Sequence, residues 1–162
     1  MVLYFKLIDL LNRIVEYIIC LLLILMVLTV FSQVLFRYII HSPLPWSEEL
    51  ARYILIWISF LGASIGVKRH VHIGVSAITS LLQGKARKLI SLLIPSLSTI
   101  FFLFLSIYGY RILDVVAYQL SPAMEISMAI PYSAVTVSGT LMFLYSTSDV
   151  LKFLTGNRDE SP

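Results

Sequence analysis

Charged residues are scarce in this 162-residue chain, and their scarcity excludes most soluble proteins. Only 13% of the residues are charged, against about 25% in a soluble domain. Hydrophobic residues make up 59% of the chain, and the mean hydropathy is +0.91. The net charge of +3 is carried mainly by loops, so it describes membrane topology and does not indicate nucleic-acid binding. The composition predicts a single membrane domain over residues 1–162.

Residues suited to catalysis or cofactor binding are few. The one cysteine, Cys20, lies in an apolar run and cannot form an internal disulfide, so we interpret it as a packing residue. The three histidines, His41, His70 and His72, lie in loops, where they cannot ligate a haem between membrane helices. Two histidines in a basic loop also make a poor metal site, and contact with a partner is the better interpretation of His72. We predict no enzymatic activity, no cofactor and no metal.

Four apolar segments are long enough to cross a bilayer, which takes about 20 residues of helix. The predicted transmembrane helices are residues 15–36, 47–67, 89–113 and 127–145. The first is too long for the core of a signal peptide, so we expect a retained anchor, preceded by a helical lead-in at the interface over residues 4–13. Between the second and third spans, apolar residues at helical spacing predict a short amphipathic helix at about 73–83. A plain loop is the alternative there. The predicted fold class is therefore an all-α integral membrane protein.

Basic residues are distributed unevenly between the two sides of this predicted bundle. With four spans, both termini and the middle loop share one side, and that side carries all but three of the twelve Lys and Arg residues. The three exceptions are Arg37, Arg52 and Arg111. Short loops rich in Lys and Arg stay in the cytoplasm, so we predict that the N- and C-termini are cytoplasmic.

Small residues line one face of two predicted spans. Helices in lipid associate where small side chains let their backbones approach closely. We therefore predict that these faces pack against helices, either within this chain or of a partner. The faces consist of Ser59, Gly62, Ala63 and Gly66 in the second span and Ala129, Ser133, Thr136 and Thr140 in the fourth.

A charged cluster opens the second span, directly after the turn Ser42-Pro43-Leu44-Pro45. Ser47 is a candidate N-cap, and Glu48 and Glu49 lie in the first helical turn, where the helix dipole favours negative charge. Arg52 is spaced to pair with either glutamate. The cluster has two interpretations, helix capping with charge balance or contact with a partner.

The stretch from residue 33 to residue 75 resembles the small, Q-type membrane subunit of TRAP transporters, the tripartite ATP-independent periplasmic transporters for organic acids. One departure is Val71, where the family often has glycine, and it affects only local loop geometry. The resemblance is carried by Gln33–Tyr38 (QVLFRY), Pro45–Tyr53 (PWSEELARY), Phe60–Ala63 (FLGA) and His70–Ile73 (HVHI).

The resemblance implies an accessory subunit in the bacterial inner membrane, packed beside a large twelve-span subunit that carries substrate and sodium. It also implies a soluble periplasmic protein that transiently delivers sialic acid, a C4-dicarboxylate or another organic acid. The residues agree with an accessory role, because the middles of the four predicted spans contain no Asp, Glu, Lys, Arg or His. Ion-coupled transporters usually place such groups inside their spans. Membrane lipid is the other expected partner.

Two other classes remain open, a self-sufficient small homo-oligomeric transporter or channel and an integral membrane enzyme or redox subunit. Flux through the pure chain would indicate the first, and a bound cofactor the second. The substrate and the oligomeric state do not follow from the sequence. The candidate residues for partner contact are Arg37, Trp46, Glu48, Glu49, Arg52, Ser59, Gly62, Gly66, Arg69, His72, Ser133 and Thr136.

Overall fold

The computed structural model describes residues 2–69 and 84–154, and every structural statement below refers to these residues. They form four helices and one isolated antiparallel bridge, between Leu120 and Ser127. The all-α prediction is therefore confirmed for the described part of the chain. The predicted interfacial helix at 73–83 and the candidate His72 lie outside it. The helices are α1 (Val2–Tyr38), α2 (Pro45–Lys68), α3 (Gly84–Val116) and α4 (Ala129–Leu154).

Three of the described helices are long and apolar enough to cross a membrane. The spanning segments are Tyr4–Tyr38, Pro45–Lys68 and Leu92–Val116. The fourth helix is 26 residues long, but its many Ser and Thr side chains lower its hydropathy, and it is not among the three. The fourth span consequently stays a prediction.

The N-terminal lead-in is part of α1. Residues 4–13 are helical as predicted, but they continue into the first span without a break. Ile8 is buried, Tyr4 is half-buried, and the Tyr4 hydroxyl donates a hydrogen bond to the Leu144 carbonyl in α4 at 3.3 Å. A shared apolar cluster holds this end of the bundle together. Its buried members are Ile8, Val67, Phe102, Met142 and Tyr145.

The helices are arranged with α2 and α4 at the centre. These two pack against each other, while α1 packs mainly on α2 and α3 on α4. The Trp57 indole of α2 donates to the Ile130 carbonyl of α4 at 3.2 Å. The edge helices α1 and α3 expose large apolar side chains, as a lipid environment allows. Cys20 is exposed on α1, so it does not pack inside the described part of the chain, and its interpretation as a packing residue stays a prediction.

The backbones of α3 and α4 approach each other closely at two glycines, Gly109 and Gly139, which lie outside the predicted small-residue faces. A Cβ atom placed on Gly109 would lie 2.9 Å from Thr136 Oγ1 and 3.3 Å from Thr136 Cα. A Cβ atom on Gly139 would lie 3.2 Å from the backbone nitrogen of Ser106. The Ser106 and Thr140 hydroxyls are hydrogen-bonded at 2.7 Å. The small face predicted for the fourth span thus packs within the chain at Thr136 and Thr140.

Candidate interaction surface

The helix that carries the charged cluster begins earlier than the sequence suggested. Leu44 is the N-cap, in extended conformation, and its side chain cannot cap. Pro45 occupies the first helical position, where its fixed φ suits a helix and its missing N–H costs nothing. Ser47 lies inside the first turn, is fully buried, and donates its hydroxyl to the Leu44 carbonyl at 2.7 Å. The assignment of Ser47 as the N-cap is therefore wrong.

Glu49 points into the protein and binds the loop between α3 and α4. Its side chain is buried, and Oε2 accepts the backbone N–H groups of Ala123 at 2.8 Å and Met124 at 3.0 Å. Oε1 accepts the hydroxyl of Tyr53, one helical turn further along α2. A carboxylate is acceptor-only, so this set of donors matches it.

The loop that Glu49 binds has its own hydrogen-bonded structure. A bridge joins Leu120 to Ser127, and the Ser121 N–H donates to the Ile126 carbonyl at 2.9 Å. Glu125 turns the chain in the left-handed region, with φ of 54°. Buried polar groups need partners, and here the loop supplies donors that the α2 carboxylate needs. Glu49 therefore joins the start of α2 and the α3–α4 loop into one continuous surface.

Glu48 and Arg52 face outward and pair with each other. Glu48 Oε1 lies 3.3 Å from an Arg52 guanidinium nitrogen, with 73% of the Glu48 side chain and 64% of the Arg52 side chain exposed. An exposed pair of this kind contributes only about 0–1 kcal/mol. The two adjacent glutamates thus have opposite environments, and Arg52 pairs with Glu48 and not with Glu49.

An open groove of about 640 Å³ lies beside this pair. It runs between α2, the α3–α4 loop and the first turns of α4. Glu48 and Arg52 line one end, and Ile56, Phe60 and Val135 line the other. The groove is therefore polar at the start of α2 and apolar further along it.

The small-residue face of α2 is open. Ser59 and Gly62 are exposed and Gly66 is half-buried. A Cβ atom added to Gly62 or Gly66 would meet nothing within 4 Å. Of the two helices with predicted small faces, α4 uses its face inside the chain, whereas the face of α2 has room for a helix from outside it.

The chain matches a known family over residues 26–156. That family is described as "Tripartite ATP-independent periplasmic transporters, DctQ component". The chain belongs to this DctQ family. It is thus a small TRAP transporter permease subunit and a multi-pass protein of the inner membrane, as the resemblance implied.

Three relatives illustrate the family. The sialic acid TRAP transporter permease protein SiaT of Haemophilus influenzae is 31% identical over 127 residues, which are 77% of this chain and 20% of that protein. The isethionate TRAP transporter permease protein DctMQ of Oleidesulfovibrio alaskensis is 30% identical over 129 residues, 73% of this chain and 20% of that protein. The C4-dicarboxylate TRAP transporter small permease protein DctQ of Vibrio cholerae is 37% identical over 67 residues, 41% of this chain and 29% of that protein. The aligned part of this chain spans less than a third of each relative.

Several candidate residues of this DctQ-family chain have partners of their own. Arg37 is exposed at the end of α1, with its guanidinium 5.8 Å from the centre of the Tyr38 ring. Trp46 is exposed at the start of α2. Ser133 donates to the carbonyl of Ile130 within its own helix at 2.6 Å. Arg37 is not among the hydrogen-bond partners of the Glu49 carboxylate.

The opposite end of α2 is joined to α1 by two ion pairs that the sequence analysis missed. Arg69 lies 2.6 Å from Glu16 Oε1, and Lys68 lies 2.9 Å from Asp9 Oδ1. A signal for them existed in the sequence, because acidic residues near the first span and basic residues after the second meet if the helices are antiparallel. Arg69 is therefore in contact with α1 of the same chain. No group of three possible metal-binding side chains occurs within residues 2–69 and 84–154.

Proposed function

We propose that this DctQ-family chain is a membrane scaffold for a larger, ion-coupled subunit. Together they would carry out sodium-driven uptake of an organic acid that a periplasmic binding protein delivers. Two relatives support this assembly, because the aligned region makes up only 20% of SiaT and 20% of DctMQ. We infer that the remainder of those two proteins corresponds to the large subunit.

The open face of α2 is the observation that carries this proposal. In lipid, helix association depends on close packing, because the lipid tails are as apolar as the side chains. Ser59, Gly62 and Gly66 present an indentation that no part of the described chain fills. A helix of the large subunit packed along this face would have close backbone contact over two turns of α2.

The distribution of charge also favours a scaffold over an independent transporter. Glu49 is a buried carboxylate in a candidate span, but its oxygens are occupied by hydroxyl and backbone donors. A carboxylate with this many partners is poorly suited to exchange them for an ion during each transport cycle. Ion coupling is therefore assigned to the large subunit.

The names of the relatives support an organic acid as the substrate class and do not favour one individual acid. The relatives are named for sialic acid, C4-dicarboxylates and isethionate, three chemically different organic acids.

The orientation proposed from the basic residues puts both termini in the cytoplasm. The start of α2 and the α3–α4 loop would then face the periplasm, where the Glu49-linked surface could receive the binding protein.

Co-purification of the two membrane subunits tests the scaffold proposal. The variants Gly62→Leu and Gly66→Leu are co-expressed with the large subunit, and Cys20→Leu is the control because it enlarges an exposed side chain on α1. We expect neither glycine variant to co-purify with the large subunit, while each variant chain, purified alone, keeps the wild-type melting temperature. Wild-type yields of complex from both glycine variants would show that the large subunit does not bind at the α2 face. Flux through the pure chain would support the homo-oligomeric transporter instead.

A further inference from the structure

We propose that the groove between α2 and α4 binds one phospholipid with a zwitterionic headgroup, in the leaflet where α2 begins. The residues that line this groove do not include Ser59, Gly62 or Gly66 of the open small-residue face. The proposal rests on the order of the groups along the groove, on its length and on its charges.

The polar end of the groove offers one group of each sign. Arg52 can donate to a phosphate, and Glu48 can accept from an ammonium group. The two side chains now pair with each other at 3.3 Å, but both are mostly exposed, so separating them costs little. A headgroup with a phosphate and an ammonium would replace one ion pair with two.

The whole groove, from its polar end to its apolar end, has about the length of one lipid leaflet. From Glu48 to Phe60 the helix rises about 18 Å, at 1.5 Å per residue. Half of the hydrocarbon core of a bilayer is about 15 Å. Ile56, Phe60 and Val135 therefore lie where an acyl chain would follow a headgroup held at Arg52.

The same observations favour a lipid over a helix as the occupant. A groove open to the hydrocarbon is filled by acyl chains or by side chains, because water gains no hydrogen bonds from an apolar wall. A transmembrane helix has apolar side chains along its whole length and would leave Glu48 and Arg52 without new partners. A phospholipid has the polar-to-apolar order of the groove itself.

Lipid retention by the purified full chain tests the proposal. The chain in dodecyl maltoside is given phosphatidylethanolamine, phosphatidylcholine or phosphatidylglycerol with identical acyl chains, and bound lipid is measured by native mass spectrometry. Ile56→Trp fills the groove, and Ile107→Trp is the matched control on the exposed face of α3. Arg52→Gln removes the phosphate contact without a change in packing.

We expect phosphatidylethanolamine to bind most tightly, since its ammonium retains N–H donors. Ile56→Trp should abolish retention and Ile107→Trp should not, and Arg52→Gln should weaken binding by about tenfold. Equal retention of the three lipids, or equal loss in the two Trp variants, would overturn the proposal. So would a photo-cross-linker at position 56 that captures a second polypeptide in the co-expressed complex, because the groove would then be a helix site.

Discussion

Two glycine-to-alanine substitutions separate packing inside the chain from packing against a partner. Gly109→Ala places a methyl group 2.9 Å from Thr136 Oγ1, and Gly62→Ala places one in open space. Both substitutions raise helix propensity by up to about 1 kcal/mol, so this contribution cancels when the two variants are compared. The remaining difference is the cost of overpacking at Gly109, which is typically about 1–3 kcal/mol.

The Thr136 side chain alone cannot relieve the clash at Gly109. Rotation about χ1 would move Oγ1 away, but the Thr136 Cα atom is 3.3 Å from the added methyl, so the two helices must also separate. We therefore expect Gly109→Ala to be less stable than Gly62→Ala by about 1–3 kcal/mol.

The difference is measured by unfolding the isolated chain in mixed micelles and following its helical circular dichroism. Gly139→Ala is a second test of the same contact, since its methyl would lie 3.2 Å from the Ser106 nitrogen. Equal stability of Gly109→Ala and Gly62→Ala would show that α3 and α4 do not approach as closely as described.

Three further predictions concern the start of α2. Glu49→Ala should lower the melting temperature of the isolated chain and expose the α3–α4 loop to protease, because the loop donors lose their acceptor; unchanged loop cleavage would contradict this. Arg52→Ala and Glu48→Ala should each change the unfolding free energy by only about 0–1 kcal/mol, and a larger loss would show that the pair is not simply exposed. Single cysteines at Ser42 and Gln83, in a cysteine-free background, should react with an impermeant thiol reagent from opposite sides of the membrane, and labelling of both from outside would reject the proposed topology.

The positions of the helices could be predicted from hydropathy, because a bilayer imposes a minimum apolar length on each span. The predicted spans 47–67 and 89–113 lie within helices of the structure. The helices extend beyond the spans at their ends, where prolines and charged residues are compatible with helix but not with the hydrocarbon core. Ser47 was misassigned for this reason, since Pro45 starts the helix before it.

The environments of adjacent charged residues could not be predicted. Glu48 and Glu49 differ by one position, which rotates a side chain by about 100° around the helix axis. The backbone N–H of Ala123, 74 positions later in the chain, donates to Glu49 and not to Glu48, and this contact accompanies the burial of Glu49. Such long-range contacts leave no signal in the local pattern.

The packing partners of the small-residue faces could not be predicted from the sequence either. The sequence showed that the Gly62 and Gly66 face and the Thr136 face could both accommodate a close neighbour. It could not show which of them meets a helix of the same chain. Gly109 and Gly139 were not part of the predicted small-residue faces, yet α3 and α4 approach each other closely at both glycines.

The central claim, that the open face of α2 receives the large subunit, is tested most directly by site-specific photo-cross-linking in membranes. A cross-linking amino acid is placed at Ser59, on the open face, or at Leu21, on the exposed face of α1. The two subunits are co-expressed, irradiated and separated by electrophoresis. We predict a cross-linked product of both subunits from position 59 and little or none from position 21. A strong product from position 21 with none from position 59 would contradict the claim and assign the interface to α1.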